Sequence, residues 1–280
     1  MTSADLAFAD ALRGAVGWNQ TVGDWNRFLE LEPGGCFVAT WHGEPAGTAT
    51  TLVHGPNLAW IGMVLVQPEF RRQGIGKALL LHCIEHLRSR GIRCIKLDAT
   101  PLGRPVYERI GFKPEWTLSR WEHPGSPTAP NPTDSWRPVQ TDDLHPRSAV
   151  EELDATAFGT PRTRLLAALA RQSRQAVVRQ GVSGKVEGYG FLRPGALADY
   201  LGPAVATDPE TSVAILRALF GGTRGRRIFW DIPEPNTHAV QWAEQHGFHR
   251  QRELTRMYLG ENSHPGNPRR QLALSGPETG

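Results

Sequence analysis

The chain has 280 residues, long for one domain and comfortable for two. Lys and Arg number 31 against 28 Asp and Glu, and the formal charge of +3 is too small to argue for a nucleic-acid binder. Three cysteines (Cys36, Cys83, Cys94) without C-x-x-C spacing fit a reducing cytoplasm and argue against a disulfide framework, and no apolar run approaches the ~18 residues of a membrane span. The first residues, with Asp5 and Asp10, lack the basic-then-apolar order of a secretion signal. In chain order, residues 6–16 and 24–31 are expected as two short helices joined by a loop holding Gly17, Trp18, Asn19 and Gly23. Residues 36–41 and 47–53 are expected as strands with a hairpin turn over His42-Gly43-Glu44-Pro45. Residues 58–66 form an apolar, β-branched run that Pro68 stops, because proline cannot donate to a ladder. A helix then starts at Gly76, with Leu80, Cys83, Ile84 and Leu87 on one face and Gly91 closing it. Residues 94–99 follow as a strand, 104–110 as a short helix ended by Gly111, and 116–121 as a strand.

Between the strand at 58–66 and its helix stands Arg71-Arg72-Gln73-Gly74-Ile75-Gly76, followed by Lys77. Glycine lets the backbone turn tightly and approach a ligand, and a helix start offers unpaired N–H groups and the positive end of a dipole. Three cations beside such a turn describe a pyrophosphate site. The pattern is neither the G-x-G-x-x-G dinucleotide fingerprint nor a P-loop. It resembles the R/Q-x-x-G-x-G/A signature of the GNAT-type N-acetyltransferases, met here as Arg71-x-x-Gly74-x-Gly76.

The resemblance covers most of residues 5–122 and implies an α/β, mixed-sheet acyl-CoA N-acyltransferase (GNAT) fold, although one family strand near the N-terminus cannot be located. It implies acetyl-CoA as co-substrate and no metal. The pyrophosphate maps to Arg71, Arg72, Gln73, Gly74, Ile75, Gly76 and Lys77. Pantetheine maps to the backbone of Val64, Leu65 and Val66, with an N–H of this stretch as oxyanion donor. Val106-Tyr107-Glu108-Arg109-Ile110-Gly111-Phe112 resembles the family's Tyr-x-x-x-Gly-Phe block and implies Tyr107 as the acid that protonates the departing thiolate. The family's asparagine before this helix is replaced by Thr100 and Gly103. No carboxylate lies on residues 58–66, so the general base is not found; Asp98, His54 and Glu30 are possible, and Glu69 is too near the phosphate loop.

The second half repeats the first. Leu97-Asp98, a helix, Gly111-Phe112 and Leu118-Ser119-Arg120-Trp121 are echoed by Trp230-Asp231, a helix, Gly247-Phe248 and Leu254-Thr255-Arg256-Met257. Gly62 to Pro68-Glu69 is echoed by Gly202 to Pro209-Glu210, yet Thr211-Ser212-Val213-Ala214 follows with no glycine pair or double arginine. Ala243 stands where Tyr107 stands in the first copy. Helices are expected over 149–158 and 163–172.

The division expected is a catalytic copy over 1–122, a Pro-rich linker over 123–135, a degenerate copy over 136–260 and a disordered polar tail over 261–280. The function expected is acetyl transfer from acetyl-CoA to a primary amine of a small molecule, by direct attack, in a monomer or homodimer with neither nucleic-acid nor membrane partner. A second domain lying over the pocket would exclude a protein chain. A protein acetyltransferase acting on termini or lysines, and a non-catalytic acyl-CoA-binding module, are the alternatives. His82 and His86 have zinc-compatible spacing but no obvious third ligand, and Thr223–Arg227 is a short basic cluster. The resemblance puts Trp18, Trp25 and Trp60 on elements that border the amine pocket in relatives, with a core role as the equal alternative.

Overall fold

The computed structural model describes residues 1–125 and 136–280, so most of the expected linker lies outside the described residues. The first half contains α1 (Leu6–Ala15), α2 (Val22–Leu31), β1 (Cys36–Trp41), β2 (Glu44–His54), β3 (Leu58–Val66), α3 (Ile75–Ser89), β4 (Cys94–Ala99), α4 (Arg104–Ile110) and β5 (Lys113–His123). The second contains β6 (Arg137–Pro138), α5 (Ala149–Phe158), α6 (Thr163–Gln172), β7 (Gln175–Gln180), β8 (Val186–Arg193), β9 (Asp199–Ala206), α7 (Pro209–Gly221), β10 (Ile228–Pro233), α8 (Thr237–Gln245), β11 (His249–Gly260) and β12 (Gln271–Ala273). Helix α2 begins two residues before the expected Asp24 because Thr21 and Asp24 form a capping box, with Thr21 N–H donating to Asp24 Oδ2 at 2.6 Å. Among the described residues no strand precedes α1, which explains why the family's first strand was not found.

The chain divides into two units whose boundaries differ from the expected ones. The first is Met1–Pro114 with Met257–Ser263 and Pro277–Gly280; the second is Glu115–Arg256 with His264–Gly276. Strand β5, expected in the first copy, pairs antiparallel with β10, from Leu118↔Pro233 to His123↔Ile228. The end of β11 goes the other way, and Met257 and Leu259 are buried with Ala59, Ile61 and Leu97 of the first unit. Hydrophobic alternation marks a strand but not its neighbour, so the exchange is invisible locally.

In the first unit β1, β2 and β3 are antiparallel neighbours and β4 runs parallel to β3. Ala59 and Ile61 of β3 pack against Leu79, Leu80, Ile84 and Leu87 of α3, and each such leucine contributes about 1.5–3 kcal/mol by burial. Leu58, Trp60 and Gly62 alternate onto the opposite face of the strand. In the second unit the order runs β11, β5, β10, β9, β8, β7, β6, with β12 paired to β9.

The tail expected to be disordered packs into the fold over residues 271–280, nearly all of them buried. Leu272 and Leu274 are at most 2% exposed. Trp230 Nε1 donates to Leu272 O at 2.9 Å, Asn236 Nδ2 to Gln271 O at 2.9 Å, and Leu274 N–H to Asp231 O at 3.1 Å. Its polar, Gly- and Pro-rich composition reflects close backbone approach and backbone hydrogen bonding, which composition alone does not distinguish from disorder. No helix among the described residues is long and apolar enough to cross a membrane.

Asp231 is fully buried, receives Arg120 through Nε at 2.8 Å and Nη2 at 2.6 Å, and accepts the Tyr200 hydroxyl at 2.8 Å. Burial pushes its carboxyl up, but Arg120 outweighs burial and holds it below the ordinary 3.8. Arg120→Ala is expected to destabilise the fold by about 3–5 kcal/mol, read by urea unfolding, because it strands a buried charge. Since the folded carboxyl lies below its unfolded value, the pair's contribution is whole above pH ~4 and is lost as pH falls through the depressed value.

Candidate active site

The parallel ladder between β3 and β4 is short. Leu58, Ala59 and Trp60 pair with Cys94, Ile95 and Lys96, and pairing stops there although both strands continue. The β4-facing edge of Val64, Leu65 and Val66 therefore lies outside the ladder. On the other side β3 carries a bulge: Thr48 faces Leu65 and Thr50 faces Gly62, so one residue of β3 is extra. Met63 absorbs it with φ +51°, held by the Thr48 hydroxyl donating to Met63 O at 2.9 Å. Such a bulge re-aims the local backbone groups away from the partner strand.

The loop at residues 67–74 leads to α3. A 3-10 turn over Pro68–Phe70 is followed by Arg72 with φ +63° and Gly74 with φ +81°. Gly74 caps α3 without any side-chain acceptor, leaving the first-turn N–H groups with no intrahelical partner. Arg71, Arg72 and Lys77 are exposed and none is in a salt bridge among the described residues. Arg71 Nε donates to Val66 O at 3.3 Å, which ties the loop to the strand. Backbone donors, a helix dipole and uncompensated cations thus converge at one end of the parted strands, an arrangement that suits a polyanion.

Tyr107 lies on α4, its ring 6.0 Å from that of Phe112 and packed at the edge of the first unit's core. The residue keeps part of its surface, yet its hydroxyl end is desolvated, and burial pushes the phenol up to about 12. The structure thus brings a strand edge, a glycine-capped helix start with exposed cations and a phenol into one unit. Of the other sequence candidates, Asp98 is half-buried on β4, past the point where its pairing with β3 stops. Trp25 and Trp60 are core residues at 0% and 1% exposure, Glu30 and Glu69 are exposed, and His54 is buried with Nε2 3.2 Å from Thr279 O. His82 and His86 stack edge-on against Phe37, and no group of three or more potential metal ligands occurs among the described residues. In the basic cluster Arg226 pairs with Asp199 and Arg227 with Glu122.

Two family models match the chain in tandem. One, described as "Acetyltransferase (GNAT) family", covers residues 8–112, and the other, "Acetyltransferase (GNAT) domain", covers residues 150–273. The chain belongs to the GNAT acetyltransferases. It is similar to the uncharacterized N-acetyltransferase YitH of Bacillus subtilis (strain 168), 28% identical over 195 residues, 69% of this chain and 67% of that protein. It is also similar to the holothin acyltransferase of Pseudoalteromonas sp. (strain SANK 73390), 24% identical over 249 residues, 87% of this chain and 81% of that one. A putative acetyltransferase from Pyrococcus horikoshii shares the fold, with a TM-score of 0.83 over 100% of this chain and 94% of that one at 24% identity. Family and relatives together make the protein an acyl-CoA-dependent acetyltransferase.

The second GNAT copy has closed the features that the first keeps open. Strand β9 leads into α7 through only Thr207 and Asp208. Asp208 caps that helix, accepting Thr211 N–H at 2.9 Å and the Thr211 and Thr207 hydroxyls at 2.8 and 2.7 Å. Burial pushes this carboxyl up, but these bonds hold it below its ordinary value, so a built-in anion occupies the helix end. Strands β9 and β10 pair only from Asp199 to Leu201, and β12 then pairs with β9 at Ala204 and Val205. The chain's own tail fills the parting. Ala243, fully buried, leaves no phenol.

The tail reaches corresponding glycines in both GNAT copies. A Cβ on Gly202 would meet Leu274 O at 2.0 Å, and one on Gly62 would meet Glu278 O at 2.5 Å. Sequence reasoning missed both contacts; the matching Gly62 and Gly202 of the internal repeat were the available signal. Gly74→Ala is expected to cost about 1–2 kcal/mol through its left-handed backbone, whereas Gly76→Ala, whose Cβ finds only Val66 Cγ2 at 3.5 Å, is neutral or stabilising by up to ~1 kcal/mol. Urea midpoints of the two variants check the contrast.

Proposed function

We propose that the first unit carries the protein's acetyltransferase site and moves an acetyl group from acetyl-CoA to the primary amine of a small molecule, by direct attack. The observation that carries this reading is the coincidence, in one unit, of the β3–β4 parting, the bulge at Met63 and the uncompensated helix start at Gly74. The N–H groups of residues 73–77 bind the pyrophosphate, with Arg71, Arg72 and Lys77 adding field. The free edge of Val64, Leu65 and Val66 receives the pantetheine arm. A backbone N–H at the bulge faces the thioester oxygen as it gains charge. Holding the thioester beside the amine removes the entropy of encounter.

Tyr107 donates a proton toward the departing sulfur. Its raised value keeps the phenol protonated throughout the physiological range, so the donor is always loaded. Direct attack is favoured because burial pushes the Cys36 and Cys83 thiols up to about 12 and Cys94 is fully buried, leaving no accessible thiolate for an acetyl-enzyme. A small acceptor is favoured because residues 277–280 already cover part of the β3 face in this unit.

Titrating acetyl-CoA in a calorimeter is expected to show one site per chain, with affinity that falls as salt rises because the cations are exposed. No heat of binding by folded protein would end the reading. Thiol release against a panel of primary amines then tests transfer. Tyr107→Phe is expected to leave acetyl-CoA affinity unchanged and to lower kcat by about 10²–10⁴-fold. An unchanged kcat removes Tyr107 from its role. Labelled acetyl-CoA without acceptor is expected to leave no label on the protein after gel filtration in denaturant.

A further inference from the structure

We propose that Thr48 of β2 is a positioning residue for acetyl transfer: its hydroxyl aims the Val64 N–H at the thioester oxygen. The inference rests on the reading that the first unit is the site of acetyl transfer. A carbonyl under attack gathers negative charge on its oxygen. A donor fixed beforehand stabilises that charge without reorganising during the reaction.

Met63 and Val64 together stand opposite Ala49, since Thr48 faces Leu65 and Thr50 faces Gly62. Neither has a register partner on β2, and the ladder to β4 has already ended at Trp60. The Met63–Val64 peptide is trans, so its C=O and N–H point in opposite directions. The hydroxyl of Thr48, a fully buried residue, holds that C=O at 2.9 Å. The Val64 N–H is thereby turned away from β2, toward the side on which β4 has parted. Val64 keeps part of its surface, whereas Met63 and Leu65 are buried. Acetyl-CoA is linear, with its thioester at the end remote from the pyrophosphate. A pyrophosphate at residues 73–77 sends the arm back along Val66, and the thioester arrives at Val64.

The second copy supplies the internal control. Its strand β9 bulges at the matching place: Gly190 faces Ala204 and Leu192 faces Leu201, which leaves Gly202 and Pro203 over. Counted by strand register, Gly202 with φ +139° stands where Met63 stands, and Pro203 stands where Val64 stands. Proline has no N–H to offer. Gly190 stands where Thr48 stands and has no hydroxyl. A Cβ on it would meet Leu219 Cδ1 at 2.7 Å and Ile215 Cγ2 at 2.9 Å. The bulge carbonyl there, Gly202 O, accepts instead from Arg193 Nε at 2.8 Å. Both copies keep the bulge. The hydroxyl that aims and the N–H that is aimed occur together in the first copy and are lost together in the second.

In the step, the lone pair of the neutral amine forms the C–N bond, and the carbonyl π pair moves to oxygen, where the Val64 N–H meets it. The nitrogen gives one proton to solvent. The oxygen pair then restores the C=O bond, and the C–S bond breaks with its pair on sulfur. The sulfur takes the Tyr107 proton, and solvent restores the phenol. The products are the acetamide and the CoA thiol.

The test measures acetyl-CoA affinity by calorimetry and turnover by thiol release, with the fastest amine of a panel that includes benzylamine and ethanolamine. Thr48→Val keeps the shape and removes the hydroxyl. It is expected to bind acetyl-CoA and amine within a few-fold of wild type and to lose about 10–100-fold in kcat. Thr48→Ser, which keeps the hydroxyl, is expected to stay within a few-fold of wild type in kcat. Thr50→Val removes a buried hydroxyl without a partner from the same strand and is expected to leave kcat unchanged. Replacing Val64 by its α-hydroxy acid, through in vitro translation, exchanges the N–H for an ester oxygen. This variant is expected to be at least as slow as Thr48→Val, and adding Thr48→Val to it is expected to lower kcat no further. Undiminished kcat in Thr48→Val or in the ester variant overturns the proposal. So does a parallel loss of acetyl-CoA affinity and kcat, which marks a strut of the fold. A Thr48→Ser as slow as Thr48→Val, or an equal loss in Thr50→Val, overturns it too. Where Thr48→Val lacks a cooperative urea transition, Thr48→Ser and the ester variant decide. Wild type that binds no acetyl-CoA, or turns over no amine of the panel, defeats the reading of the first unit itself, and that is read before any variant is made.

Discussion

Two parallel strands that stop pairing halfway create the opportunity on which the rest depends. A strand edge with backbone donors and acceptors released from its ladder must find other partners, since buried peptide groups left unpaired cost about as much as a lost hydrogen bond. In the first unit the edge beyond Trp60 and Lys96 stays open, and the strand leads to a glycine-capped helix start with exposed cations. In the second, the corresponding edge beyond Leu201 and Trp230 is satisfied by Gln271–Ala273. One geometric device is thus left open in one copy and closed by the chain itself in the other.

Electrostatics separates the copies in the same sense. The α3 start has a glycine cap and three exposed cations without counter-ions, a local field that an anion relieves. The α7 start carries its own carboxylate with three donors already satisfied. The difference comes from a handful of residues at a strand-to-helix turn, and it sets the charge that each helix start presents. Substrate class is a separate matter. GNAT acetyltransferases act on amines of small molecules or of proteins.

Much of this was legible in the sequence, because the features concerned are local. The glycine spacing around Gly74, the Pro68 stop, the Gly111 end of α4 and the position of Tyr107 are each determined by neighbours a few residues away. Strands Cys36–Trp41, Leu58–Val66 and Cys94–Ala99 match the expected spans for the same reason. The exchange of β5 and the end of β11 was not legible, since alternation of apolar residues does not name a pairing partner. Nor was the ordered tail: Leu272 and Leu274 are too few to form a periodic signal, and their burial depends on Trp230 and Asp231 far back in the chain.

The strand exchange makes the two GNAT copies indivisible. Cutting the chain in its Pro-rich stretch would leave residues 1–122 without Met257 and Leu259 in their core, and the remainder without the partner that β10 finds in β5. Each unit thus takes part of its sheet or core from residues that lie beyond the cut.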